Sequence, residues 1–439
     1  MNPAGLQSWG NYPRFPQTGT PCFWPADLAS GLDSLQRLHG TTLAFGAGRS
    51  YGDVCLAASD RVLPTRALNR LIAADWSTGV IVAECGLTLG ELLAVAIPKG
   101  WFVPVTPGTR QVTLGGAVAN DVHGKNHHRR GTFGAHVRRL GLLRSDTGEQ
   151  ICSVTENPSL FSATLGGLGL TGLIQWVELQ LVPIRSSRLV TVTQRFDSLE
   201  EGLALTDELE RQHEFCVAWL DCRAHGGRLG RGVYSAGNFA AEGPLEAPPR
   251  RQVTVPFTPP CSLVNRASQA VLNTLYWRRA PAHRRQAVMD FDAFFYPLDA
   301  IGQWNRLYGP NGFLQYQALI PAGAAVDGIH EMLRVVSRAG VVTALAVLKR
   351  FADHTAPGLL SFAAAGTTLA LDFPYSSRLV SRVLPSLDAI VRAADGRLYP
   401  AKDSHMTGED FRRGYPGWQR LEALRDPALL SRFWQRVTR

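Results

Sequence analysis

The spacing of apolar positions divides the chain into two unlike parts. In the first, apolar residues recur at helical spacing near 26–39, and a short apolar strand at 43–45 runs into a glycine loop. Residues 79–84 (GVIVAE) are a β-rich run. Thr88-Leu89-Gly90-Glu91 then reads as a capping box, and the helix it opens over 92–97 is stopped by Pro98 and Gly100. Residues 102–105 lead into 106–134, a stretch too rich in glycine and proline for an ordinary helix or strand. From about residue 188 the pattern changes. Apolar runs at 189–193, 216–220, 312–320, 341–348 and 368–373 alternate with helical patterns near 198–212, 325–338 and 376–394, which predicts a sheet with helices on one face and a second domain. The run 339–348, bounded by Arg338 and Lys349, reads as a buried strand.

Residues 248–285 fit neither part. They mix prolines, a helix-like stretch at 267–277 and the basic set Arg278, Arg279, His283, Arg284 and Arg285. A mobile lid, a lipid-surface contact and a plain long loop are all open. Beyond Gly396 comes RLYPAKDS at 397–404, then a terminal helix whose start Asp426 and Pro427 mark.

The organising feature is 106–134, with further glycine-rich stretches at 44–53 and 165–174. Backbone without side chains lets a ligand reach main-chain N–H groups, and an anion gains most from such donors. Three such segments point to a large phosphorylated cofactor. Alone, 46–50 reads as a phosphate cradle or a plain hairpin. No G-x-G-x-x-G opens a helix with an acidic residue about 20 positions on, so the usual dinucleotide fold is not indicated. His123, His127 and His128 lack an H-E-x-x-H frame, and no metal is expected. Lys125, Arg129 and Arg130 suit either a phosphate or solvent.

Composition narrows this only slightly. The seven scattered cysteines contain no C-x-x-C pair, so reduced thiols are the plain reading. No apolar run is long enough for a membrane span and no secretory signal is visible, which makes the cytoplasm the default. A net charge of +9 admits nucleic acid, an anionic lipid surface or a phosphorylated substrate.

The segments FGAGRSYGD, TPGTRQVTLGGAVANDVHGKNHH, LGGLGLTGLI, FDAFFYPLD (291–299), QWNRLYGPNGFLQYQ (303–317) and RLYPAKDS together resemble the decaprenylphosphoryl-β-D-ribose 2-oxidase family, within the vanillyl-alcohol-oxidase-like flavoproteins. That resemblance implies an α+β, two-domain PCMH-type FAD-binding fold. Residues 1–187 and 397–439 would form the FAD-binding domain; 188–396 would form a substrate-binding cap on an antiparallel sheet with helices, with a mobile segment near 248–290. It also implies that Gly46, Ala47, Gly48, Arg49, Ser50, Tyr51, Gly52 and Asp53 form the FAD pyrophosphate loop. Gly108, Thr113, Leu114, Gly115, Gly116, Asn120 and His123 would make further FAD contacts, with Ile174 and Tyr399 closing the site. Relatives that attach FAD covalently use a histidine in a G-H-S sequence. Gly48-Arg49-Ser50 stands there instead, so FAD should be held non-covalently.

The implied reaction moves hydride from ribosyl C2 to FAD and gives a 2-keto sugar, the first half of an epimerisation completed by an NADH-dependent reductase. Lys402 is the expected base or hydroxyl-positioning donor, since a secondary alcohol releases hydride only as its O–H breaks. Tyr51, Lys125, Trp219, Tyr296, Arg306, Gln315, Gln317 and Lys349 would line the substrate side, with the cations suited to a phosphodiester and the glutamines to sugar hydroxyls. The family's reactive cysteine falls at Ala370 and its neighbouring asparagine at Thr368, so cysteine-directed inhibitors should fail here. A polyprenylphosphoryl sugar and a peripheral inner-membrane surface are the expected partners. Two rivals remain: an oxidase of a soluble sugar, alditol or aldonolactone, and a flavin-free lipid- or nucleic-acid-binding protein.

Overall fold

A computed structural model describes residues 6–247 and 252–439. Helix Pro25–His39 starts where expected: Pro25 fits the first turn, the Asp27 carboxylate accepts from the N–H groups of Phe23 and Trp24, and Gly40 ends it at φ 76°. Leu28, Leu32 and Leu35 are its buried face. The capping box is formed: Thr88 Oγ1 accepts from Glu91 N–H at 3.2 Å, while Glu91 Oε2 accepts from Thr88 N–H at 2.8 Å. Helix Leu89–Ala96 follows, and Pro98 and Gly100 end it through a single tight turn.

The first sheet is antiparallel, in the order Leu71–Asp75, Val80–Glu84, Leu173–Gln180, Val137–Arg144 and Gly148–Ser153. Beside it lies a small parallel sheet of Thr18–Gly19, Arg61–Pro64 and Ala44–Phe45. The second large sheet has eight antiparallel strands, ordered Arg285–Asp290, Arg188–Phe196, Gly232–Phe239, Phe215–Leu220, Ala346–Phe351, Gly366–Pro374, Phe313–Pro321 and Arg397–Leu398. The fold is therefore α+β.

Alternation assigns the two faces of the larger sheet. Ala218, Leu220, Leu314, Tyr316, Ala318, Leu348, Leu369 and Leu371 point into one apolar core with Leu205 and Leu209 of helix Leu199–Gln212, and with Ile329, Met332 and Leu333 of helix Ala325–Ala339. The opposite parity carries Trp219, Gln315, Gln317, Lys349, Thr368, Ala370 and Asp372.

Three expectations shift. The apolar run 339–348 is not one strand, because Gly340 at φ 61° ends helix Ala325–Ala339 and the strand is Ala346–Phe351. The tail holds three helices, Gly408–Gly414, Trp418–Leu424 and Arg432–Thr438. The last is capped by Ser431, so Asp426 and Pro427 lie in the turn before it. The mixed segment 248–285 begins on residues 248–251, which lie outside the described residues; beyond them come strand Val253–Thr254 and helix Arg266–Arg279. Among the described residues, no helix is long and apolar enough to cross a membrane.

Candidate active site

Loop 46–53 meets the chain tail because of glycine. A Cβ on Gly52 would lie 1.5 Å from the Asp403 carbonyl oxygen, so only glycine allows the two backbones this contact. Tyr51 N–H donates to Ala401 O at 3.1 Å, and the Lys402 ammonium lies 3.9 Å from the centre of the Tyr51 ring. Arg436, on the last helix, clamps the arrangement with 2.8 Å contacts to both Asp53 and Asp403. The Asp53 carboxylate is thus committed to the protein.

Residues 46–50 are different. Among the described residues, none accepts a hydrogen bond from the N–H groups of Gly46, Ala47, Gly48, Arg49 or Ser50. Gly48 adopts φ 61°, and the Arg49 guanidinium lies 4.1 Å from the Trp9 ring centre with a buried Nε that has no partner. Five free donors beside a half-desolvated cation suit a pyrophosphate.

The second segment closes against the first at Gly46, whose Cβ would lie 2.6 Å from Thr113 Oγ1. Despite its glycines this segment contains a short helix, Leu114–Ala119, with Thr113 as its cap. Leu114 and Gly115 donate their N–H groups to Leu87 O and Cys85 O, both at 2.8 Å, and Gly116 donates to Thr113 Oγ1. These three are spent on packing. Gly108, in contrast, has no atom within 4 Å of its Cβ position, which leaves room for a ligand. Ile174 is buried on strand Leu173–Gln180.

His123 faces the sheet. Gln317 donates its amide N–H groups to His123 Nε2 at 2.9 Å and to Thr368 Oγ1 at 3.1 Å. With Nε2 accepting, the proton of the neutral ring sits on Nδ1, a buried donor without a partner. Burial, with the Lys349 charge adding, holds the His123 pKa well below its usual value. Asn120 also offers an unpartnered buried Oδ1, and its carbonyl accepts from Tyr399 OH at 3.0 Å. Tyr399 stacks on Phe362 at 4.5 Å. His127 and His123 both pack on the Phe351 ring, at 4.4 and 4.8 Å, and His128 bonds His213 O.

The floor of the site is the polar face of the large sheet. Trp219, Val347, Ala370 and Gln317 register side by side across four strands, flanked by Lys349 beside Thr368 and by Gln315 beside Asp372. Strand Arg397–Leu398 pairs with 318–319, and Tyr399 N–H donates to Gln317 O, which brings Lys402 over this floor.

Burial shapes its charges. Lys125 is pushed down to about 7 by burial and the Lys349 charge, and Lys349 to about 8 by burial. Burial likewise lowers the Lys402 pKa, opposed by the Asp372 carboxylate and reinforced by Lys349; Asp372 itself is raised by burial. Gln315 donates to Asp372 Oδ1, while Oδ2 is buried without a partner. Asp372 is not among the residues the sequence pattern singles out, although its parity with Thr368 and Ala370 could have exposed it.

Other expected residues lie apart or are occupied. The Tyr296 hydroxyl contacts Thr106 Oγ1 at 2.6 Å, and its ring packs with Phe291 and Phe295 in a buried aromatic cluster. Arg306 donates to Val255 O and Pro256 O at 2.7 and 2.8 Å, pinning that segment. Lys125 donates to Phe294 O and lies 4.4 Å from the Phe294 ring centre.

The free N–H groups of 46–50, the unpartnered Arg49 Nε, the space at Gly108 and the His123 Nδ1 donor fit FAD. An FAD binding domain family matches residues 25–153, and the molecule is an FAD-dependent oxidoreductase of the PCMH-type fold. Over 401 residues it is 36% identical to the decaprenylphosphoryl-beta-D-ribose oxidase of Mycolicibacterium smegmatis (strain ATCC 700084 / mc(2)155), covering 88% of this chain and 86% of that one. It is 34% identical over 361 residues to a Streptomyces coelicolor protein described as "Uncharacterized protein in mprA 5'region", covering 78% and 96%. L-gulonolactone oxidase 2 of Arabidopsis thaliana is 30% identical over 166 residues, 36% of this chain and 28% of that one. The chain belongs to the decaprenylphosphoryl-β-D-ribose oxidase family.

Proposed function

We propose that this chain oxidises the 2-hydroxyl of a polyprenylphosphoryl-β-D-ribose to the 2-keto sugar, using non-covalently held FAD. The observation that carries the reading is the half-buried Lys402 over Tyr51, opposite the floor of Gln317, Ala370, Val347 and Trp219. Bound FAD supplies the acceptor for the C2 hydride. Lys402, its pKa lowered to about 7 by burial, takes the O2 proton in its neutral form as the C2–H bond breaks and C2=O2 forms. Asp372 faces the resulting ammonium, and Gln315 holds that carboxylate in place. Gln317, oriented by its bonds to His123 and Thr368, meets the sugar, while Lys349 meets the phosphodiester. Residues 46–50, with Arg49, hold the FAD pyrophosphate. Arg49 in place of an attaching histidine supports non-covalent binding.

In this reading 1–187 with 397–439 form the FAD-binding body and 188–396 the substrate-binding one. The enzyme works at the inner membrane surface as a peripheral protein, and an NADH-dependent reductase consumes the keto sugar. A soluble sugar or aldonolactone oxidase is less well supported, since the likeness to L-gulonolactone oxidase 2 covers only 36% of this chain. Turnover of prenylphosphoryl-β-D-ribose against free ribose and aldonolactones tests the choice. Preference for the phospholipid sugar is expected; faster turnover of the free sugars would replace the proposal with the soluble-sugar reading.

A further inference from the structure

Helix Arg266–Arg279 is built inside out. Its protein-facing side is polar: Gln269 and Asn273 are buried at 4% and 5% exposure, donating to Thr343 O at 2.7 Å and Asp221 Oδ1 at 2.8 Å. Arg266 and Trp277, at the same helical spacing, donate to Gly340 O and Phe196 O. Its outward side is apolar, with Val271, Leu272 and Leu275 exposed at 57%, 64% and 46%. A water-facing helix of a globular protein shows the opposite arrangement. Lone exposed leucines are ordinary, but an apolar face on a helix anchored by buried amides is an outward-directed surface.

Charge indicates what covers it. The helix carries no acidic residue and ends in exposed Arg278 and Arg279, with Arg285 following. Among the described residues no ion pair holds these three, whereas Arg284 is paired with Glu208 at 2.8 Å. An apolar face rimmed by free arginines complements a bilayer with anionic headgroups. The helix also adjoins the site: the Tyr276 ring meets Trp219 edge-on at 4.8 Å, and Trp219 stands at the end of the Val347–Ala370–Gln317 row.

We infer that helix Arg266–Arg279 docks on an anionic lipid bilayer, with Val271, Leu272 and Leu275 at the headgroup–acyl boundary and Arg278, Arg279 and Arg285 on the headgroups. Its purpose, delivering a lipid-linked sugar past Tyr276 to the floor, rests on the function proposed above; its geometry does not.

Co-sedimentation of the holoenzyme with phosphatidylcholine vesicles, with and without phosphatidylglycerol, provides the test. Partition should be strongest with phosphatidylglycerol. Both Leu272→Gln/Leu275→Gln and Arg278→Gln/Arg279→Gln should lower it by about tenfold or more, given the size of each apolar and cationic contribution. Flavin bleaching by a short-chain, water-soluble prenylphosphoryl ribose should be unchanged in both variants. Equal partition of wild type and variants, or no preference for the anionic vesicles, overturns the docking inference. So does a leucine variant that dissociates a dimer in analytical ultracentrifugation but binds vesicles as before, which assigns the face to a second copy of the chain. Absence of bleaching in the wild type would instead sink the substrate reading while leaving vesicle binding to decide the docking.

Discussion

Gly52→Ala is the substitution whose effect follows most directly from the backbone. The added Cβ would stand 1.5 Å from the Asp403 carbonyl oxygen and 2.5 Å from its carbon, where real Cβ atoms essentially never approach under 3.0 Å. Both partners are backbone, so no side chain can swing aside; the 403 carbonyl must withdraw by at least about 1.5 Å. Lys402 is the preceding residue and moves with it, off the Tyr51 ring and away from the sheet floor. Misplacement of a reacting group by about 1 Å costs roughly 10²-fold, or about 2.7 kcal/mol of barrier. Stopped-flow measurement of flavin reduction by substrate should show that loss, with the FAD content of the purified variant retained. Reduction within threefold of wild type would refute the claim that this contact positions Lys402.

Other consequences concern the base, the clamp and the floor. Lys402→Ala should slow flavin reduction by about 10²- to 10⁴-fold. In wild type the rate should rise with pH as Lys402 loses its proton. Asp372 favours the charged lysine, so Asp372→Asn should move the rising limb to lower pH; an unmoved limb would remove Asp372 from the site's electrostatics. Arg436→Met leaves the buried Asp53 and Asp403 carboxylates without their 2.8 Å partner and should destabilise the fold by about 3–5 kcal/mol, read by denaturant unfolding. Thiol-directed reagents shaped for the floor should leave wild type active, whereas Ala370→Cys should be inactivated with one label incorporated, as found by mass spectrometry of the intact protein.

Much of this arrangement is legible in the sequence where local chemistry alone decides. The Thr88–Glu91 box is reciprocal within one turn, and it forms as read. The alternation in 312–320 and 368–373 already places Gln315, Gln317, Thr368 and Ala370 on the face opposite the apolar core. Residues settled by tertiary contact are harder to see. Gly340 could as well have sat within an apolar strand as capped a helix, and the cap prevails. Tyr296 sits in a motif typical of the family, yet Phe291 and Phe295 draw its ring into the interior. Helix Arg266–Arg279 can be read as a helix, but its inward face cannot, because Gln269 and Asn273 are buried only by virtue of acceptors supplied by Thr343 and Asp221. The Arg436 clamp joins residues almost the whole chain apart, and spacing carries no signal for it.

Both the 2-oxidase activity and the non-covalent FAD can be read from an anaerobic absorbance spectrum of the purified protein before and after addition of a prenylphosphoryl-β-D-ribose, followed by acid precipitation. The protein should be yellow, its flavin band should bleach with that substrate, and its colour should stay in the acid supernatant. A yellow protein left unbleached, or colour carried down with the pellet, would contradict the proposed substrate or the non-covalent FAD respectively.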